Sequence, residues 1–174
     1  ATFTDNDSAG VTITQSGGTT TVIEGGVSDS YTVVLTSEPT ADVTIAVSTD
    51  GESAAAPASL TFTAVNWNVP QAVTVSVVND DIAMGSRSST ITHASASADT
   101  FYNGLVVASV TANMTDDDVA GVTVSETGGV TNVTEGAETD TYTVVLRSQP
   151  TAAVSIAIGT DGQSTTSTTH GIRI

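Results

Sequence analysis

Cysteine and lysine are both absent from the 174 residues, and the only cations are Arg87, Arg147 and Arg173. Proline numbers 4 and aromatic residues make up 4%. No run approaches the roughly 18 apolar residues that a membrane span requires. Each shortage excludes something. Without cysteine there are no disulfide staples, so in an extracellular β domain something else must hold the loops, and metal is the first candidate. With 3 cations against 19 acids and a formal charge of -16, the chain lacks the cationic surface that nucleic acid and anionic membrane both need. The first residues lack the charged-then-apolar pattern of a signal peptide, so the chain reads as a mature fragment or an interior piece of something longer.

What is present is Thr, Val, Ser and Ala, with 15 Gly and 39% apolar residues. β-branched side chains favour strands. High net charge accompanies disorder only when apolar residues are few. Here apolar and polar residues alternate, which predicts a folded all-β chain.

The sequence repeats itself. DNDSAGVTITQSGG from Asp5 returns as DDDVAGVTVSETGG from Asp116, and SYTVVLTSEPTADVTIAVSTDG from Ser30 returns as TYTVVLRSQPTAAVSIAIGTDG from Thr141. Tyr142 repeats Tyr31 and Asp161 repeats Asp50, a constant offset of 111 residues. About 29 of 49 aligned positions are identical without a gap. A unit of that length is too long for a solenoid turn and has the size of a β-sandwich domain. The expected organisation is a tandem array: residues 1–7 end a preceding repeat, 8–118 form a complete one, and 119–174 form the first half of the next. Residues 168–174 depart from the repeat and read as the effect of a truncated end, a genuine terminal variant being the alternative.

Alternation places seven strands in the full unit, predicting a seven-stranded antiparallel immunoglobulin-like β-sandwich. They centre on Val11/Ile13 continuing to Val22, on Tyr31/Val33/Leu35, Val43/Ile45/Val47, Leu60/Phe62, Val73/Val75/Val77, Ile91, and Leu105 to Met114. Gly17-Gly18 interrupts the first as a bulge or kink. Successive antiparallel strands alternate in direction, so the first, third, fifth and seventh end at one pole. Glu24 follows the first, Asp50 the third, Asp80 and Asp81 the fifth, and Asp116, Asp117 and Asp118 the seventh. Carboxylates crowded at one pole repel unless a cation intervenes. Calcium suits them, since it takes six to eight oxygen ligands in loose geometry and needs no His or Cys. Against this, Asp and Asn are ordinary turn residues.

A Glu-Gly pair after the first strand, then YTVVL, then VTV with an acidic pair, then a closing DDD resembles the Calx-beta domain. This is the calcium-binding sandwich of sodium–calcium exchangers, also widespread in tandem arrays of large bacterial surface proteins. The array type is the closer match, through LTFTAVNWNVPQAVTV and the TITH…YNG segment. By that resemblance Glu24, Asp80, Asp81, Asp116 and Asp118 match calcium ligands, Glu135 matches Glu24 in the second repeat, and Asp5 and Asp7 would close a preceding site. Asp50 and Asp117 are weaker candidates. The family's acid after the third strand is replaced by Ser53-Ala54-Ala55-Ala56, and its acidic run after the fifth by Ile82-Ala83-Met84-Gly85-Ser86-Arg87. The resemblance therefore implies one or two weakly bound calcium ions in a structural role.

Other signals are poorer. The DNDSAG start of an EF-hand loop lacks its ligand at Ala9 and its bidentate Glu at Ser16. His93 and His170 have no nucleophile in motif context. Paired acids suggest a glycosidase, but the aromatic platforms are missing, and Trp67 at a strand end reads as packing. The sequons at Asn113 and Asn132 fall in predicted strands.

The expected function is a non-enzymatic spacer of an extracellular or cell-surface, adhesin-like bacterial protein, stiffened by calcium, with neighbouring repeats as its partners. The alternatives are a module recognising carbohydrate or a host surface protein, or a self-assembling filament subunit. The half repeat should expose an apolar face (Tyr142, Val144, Leu146, Val154, Ile156) that a second copy would cover, by strand exchange or stacking.

Overall fold

A computed structural model describes residues 6–167. Asp5, His170 and the divergent tail 168–174 lie outside these residues. The chain divides into two units, residues 1–80 with 85–117 and residues 81–84 with 118–174.

The first unit holds nine strands: β1 (Val11–Gln15), β2 (Thr20–Ile23), β3 (Asp29–Leu35), β4 (Val43–Thr49), β5 (Ala54–Ala56), β6 (Ser59–Phe62), β7 (Gln71–Ser76), β8 (Arg87–Ser97) and β9 (Val110–Thr115). They form a four-stranded sheet, β1-β3-β7-β5, and a five-stranded sheet, β2-β9-β8-β4-β6. The fold is an immunoglobulin-like sandwich. Two details differ from the seven-strand expectation. Ala54–Ala56 adds a short edge strand paired to β7. The first strand also splits in two. Gly17 and Gly18 take φ of 61° and 86° in a 3-10 turn, a region in which glycine carries no Cβ penalty. The chain thereby leaves the β1–β3 ladder and enters the opposite sheet, where β2 pairs parallel to β9.

Period-two burial in β3, β4 and β7 aims Tyr31, Val33, Leu35, Val43, Ile45, Val47, Val73 and Val75 inward. Phe62, Ile91, Val110 and Met114 close the core, and Trp67 packs against it. Among the described residues no helix is long and apolar enough to cross a membrane.

The pole opposite the acidic loops is tied by side chains. Asp99, only 6% exposed, accepts the backbone N–H of Thr40 at 2.8 Å and of Phe101 at 2.9 Å. These bonds hold its carboxyl below the ordinary range. Tyr102 donates its hydroxyl to the Ser37 carbonyl at 2.7 Å and accepts the Ser37 N–H at 3.2 Å.

His93 links the sheets. Its Nδ1 lies 2.8 Å from the Ala108 carbonyl, which can only accept, so Nδ1 carries the proton and Nε2 accepts the Tyr31 hydroxyl at 2.8 Å. Burial lowers the His93 pKa from 6.5 and pushes Tyr31 up to about 12. The unfolded chain therefore takes up this proton before the folded one does. The His93 contribution to stability is complete above about pH 6.5 and declines as pH falls toward the lower folded pKa. Thermal melts across this window should show the decline in the native chain and a flatter profile in His93→Gln. Identical profiles would contradict the assignment.

In the second unit β10 (Val122–Glu126) pairs antiparallel with β11 (Tyr142–Leu146), repeating the β1–β3 register residue for residue. Counterparts of β2 and β4 are not formed among the described residues, although a strand was expected at Val154–Ile156. The reason is pairing. β1 and β3 pair with each other, whereas β2 draws its ladder from β9, and β4 from β6 and β8. The second unit presents no such partners among the described residues. Tyr142, Val144 and Leu146 are half-buried, while Val122, Val124 and Val154 are 47%, 58% and 41% exposed.

Candidate metal centre

The parallel β2–β9 pairing brings the acids together. Its register sets Ile23 opposite Thr115, and the ladder continues with the Glu24 N–H donating to the Thr115 carbonyl at 2.9 Å. Glu24 therefore leaves β2 at the level where Asp116 leaves β9. The chain then turns sharply, with the Gly26 N–H on the Ile23 carbonyl at 3.1 Å and Gly25 at φ 63°, the positive φ that a type II turn requires of its third residue.

Glu24 is 1% exposed. Its Oε1 accepts the Asp80 N–H at 2.7 Å. Its Oε2 is buried and has no hydrogen-bond partner among the described residues; the nearest cation is Arg87, with Nη2 at 3.9 Å. Carboxylate oxygens of Glu24, Asp116 and Asp117 lie within 4.8 Å of one another. Asp116 Oδ2 accepts the Gly85 N–H at 2.6 Å. A buried ionised carboxylate with an unsatisfied oxygen costs several kcal/mol unless a positive charge compensates it. Hard oxygen donors without His or Cys are the ligand set of calcium, so the donor chemistry and the orphaned oxygen both fit that ion.

The other anticipated ligands stand in different surroundings. Asp80 sits beside Glu24 through its main chain and with a carboxylate oxygen within 4.8 Å of a Glu24 oxygen. Asp81 belongs to the second unit, where its carbonyl accepts the Gln149 N–H at 2.6 Å. Asp118 also falls in the second unit. Glu135 is exposed in a turn that repeats the Glu24 turn, with Ala137 N–H on the Thr134 carbonyl. Among the described residues it joins no acidic group. Asp50 is engaged elsewhere: Ser89 Oγ donates to it at 2.6 Å and the Thr90 N–H at 2.7 Å, which lowers its pKa. Ser89 in turn bonds the buried Ser53 at 2.6 Å, so Asp50 fastens the β4–β5 loop to β8.

Two further residues shape the site without having been anticipated as part of it. Gly25 is one, because a Cβ there would meet Asn79 Oδ1 and would lie 3.0 Å from Asp117 Oδ2. Gly25→Ala should cost about 1–3 kcal/mol through the positive φ and this crowding, and should weaken any calcium response. Chemical denaturation with and without calcium checks it; a neutral effect on both would contradict the packing described. Arg87 is the other, set beside Glu24 because β8 starts opposite Met114 of β9.

No family model matches the chain. No curated protein matches it either. Among solved structures, the apo-form Calx CBD1 domain is 20% identical, over 62% of this chain and 98% of that one, with a TM-score of 0.45. The YadV chaperone is 10% identical over 68% of this chain and 61% of that one, at 0.42. SSP-19, an MSP-domain-like protein of Caenorhabditis elegans, is 15% identical over 59% and 97%, at 0.39.

Proposed function

We propose that this chain is a non-enzymatic spacer module that binds calcium at the Glu24 pole, within a long extracellular or cell-surface, adhesin-like bacterial protein. The observation that carries the metal reading is the buried Glu24 carboxylate, with one oxygen that has no hydrogen-bond donor among the described residues and with oxygens of Asp116 and Asp117 within 4.8 Å. Asp80, adjacent through its main chain, would join them. Asp81 and Asp118 enter as ligands by strand parity and the family resemblance, and Glu135, in the second repeat, by the resemblance.

Bound calcium would neutralise mutually repelling carboxylates and fix the loops after β2, β7 and β9. Because these ligands come from distant segments, binding energy is folding energy. The spacer role follows from the repetition of the sequence, and its partners on this reading are neighbouring repeats, or a second copy meeting the open strands of the second unit. Isothermal titration with calcium tests the metal reading: saturable heat that Glu24→Gln removes supports it, and no heat in either protein overturns it.

A further inference from the structure

We propose that Arg87 is the resident counter-cation of the Glu24 pole, and that calcium must displace it. The inference rests on the calcium reading above and adds how that site is controlled.

Residues 1–117 contain 13 of the chain's 19 acids, but one arginine and no lysine. That single arginine stands at the acidic pole. Its Nη1 lies 2.6 Å from Glu52 Oε2, and its Nη2 lies 3.9 Å from Glu24 Oε2. The two carboxylates differ. Glu52 is half-exposed, at 50% of its side chain, and is solvated with or without a partner, whereas the Glu24 side chain is 1% exposed. The guanidinium therefore spans a surface acid and a buried one. Its hydrogen bond goes to the surface acid, while its charge faces the buried one.

Glu24 has one oxygen left to give. Oε1 is committed to the Asp80 N–H, so Oε2 is the atom for which both cations contend. A divalent ion bonded to Oε2 at calcium's usual distance of about 2.3–2.6 Å would stand against the guanidinium, and like charges that close repel strongly in a buried site. The Glu52 bond offers Arg87 a place to remain when it swings outward. A pole without metal is thus held by arginine, a pole with metal by calcium, and affinity is set by the difference. Coupling between two such mutually exclusive cations is reciprocal: whatever Arg87 gives to the metal-free fold, it takes from calcium binding.

Calcium titration and thermal melting of the native chain, Arg87→Gln and Arg87→Lys, joined to side-chain NMR of the labelled arginines, test the proposal. Arg87→Gln is expected to bind calcium about tenfold more tightly and to melt at a lower temperature without metal, with Arg87→Lys in between. The Arg87 Nε–H resonance of the native chain should move as calcium saturates. If Arg87→Gln and the native chain bind calcium equally and that resonance stays in place, the displacement is wrong while the calcium site stands. If no variant binds calcium, the site itself is wrong and this inference falls with it. Should Arg87→Gln not fold, Arg87→Lys and the resonance decide alone.

Discussion

Saturating calcium is expected to raise the main melting transition of the chain by about 10 °C, and Glu24→Gln is expected to abolish the rise. The magnitude follows from linkage. A ligand at a hundred times its dissociation constant adds about 2.7 kcal/mol to the folded state, and each kcal/mol moves the midpoint of a domain of this size by about 4 °C. Gln keeps the Oε1 bond to the Asp80 N–H and removes the charge that draws a cation to Oε2. The metal-free variant should therefore melt within a few degrees of the native chain, which separates binding from folding. Melting in calcium and in chelator, for both proteins, reads both quantities. A native chain indifferent to calcium would remove the metal from this account.

The opposite pole should behave in the opposite way. Asp99→Ala removes the nearly buried carboxylate that accepts the Thr40 and Phe101 N–H groups. Losing two hydrogen bonds to a charged acceptor costs about 2–4 kcal/mol, so the midpoint should fall by about 10 °C while the calcium increment stays as in the native chain. The Asp99 pKa is lowered in the folded state. Its contribution is complete above the unfolded value of about 3.9 and is lost as pH falls through the folded one. The penalty of Asp99→Ala should accordingly shrink in strong acid. Denaturant titrations at neutral and acid pH check this; an unchanged midpoint would show that the turn does not depend on that carboxylate.

The inward faces were legible because period-two alternation is a local property. Tyr31, Val33 and Leu35, or Val43, Ile45 and Val47, announce their side of the sheet without knowledge of a partner. Partners are not local. Alternation gave no sign that β2 would leave β1's sheet and run parallel to β9, although Gly17-Gly18 marked where the chain had to bend. Strand parity was enough to send Glu24 and Asp116 to one end, since two strands of like direction that become neighbours bring their exits side by side. Parity could not see what each acid would meet there. Asp50 ends at that pole too, yet Ser89 and Thr90 of β8 donate to its oxygens. Arg87 showed in the sequence only as an interruption of an acidic run, while its place between Glu24 and Glu52 depends on the β8–β9 register. In the second unit the repeated sequence foretold only one strand pair, because β10 and β11 carry their own partners and the counterparts of β2 and β4 do not.

The most direct measurement is equilibrium dialysis of the full chain against calcium, in physiological salt with competing magnesium, alongside Glu24→Gln. At least one calcium bound per native chain, and none at that site in the variant, is the predicted result. Equal retention of calcium by the two proteins, or none by either, would contradict a metal centre built on Glu24.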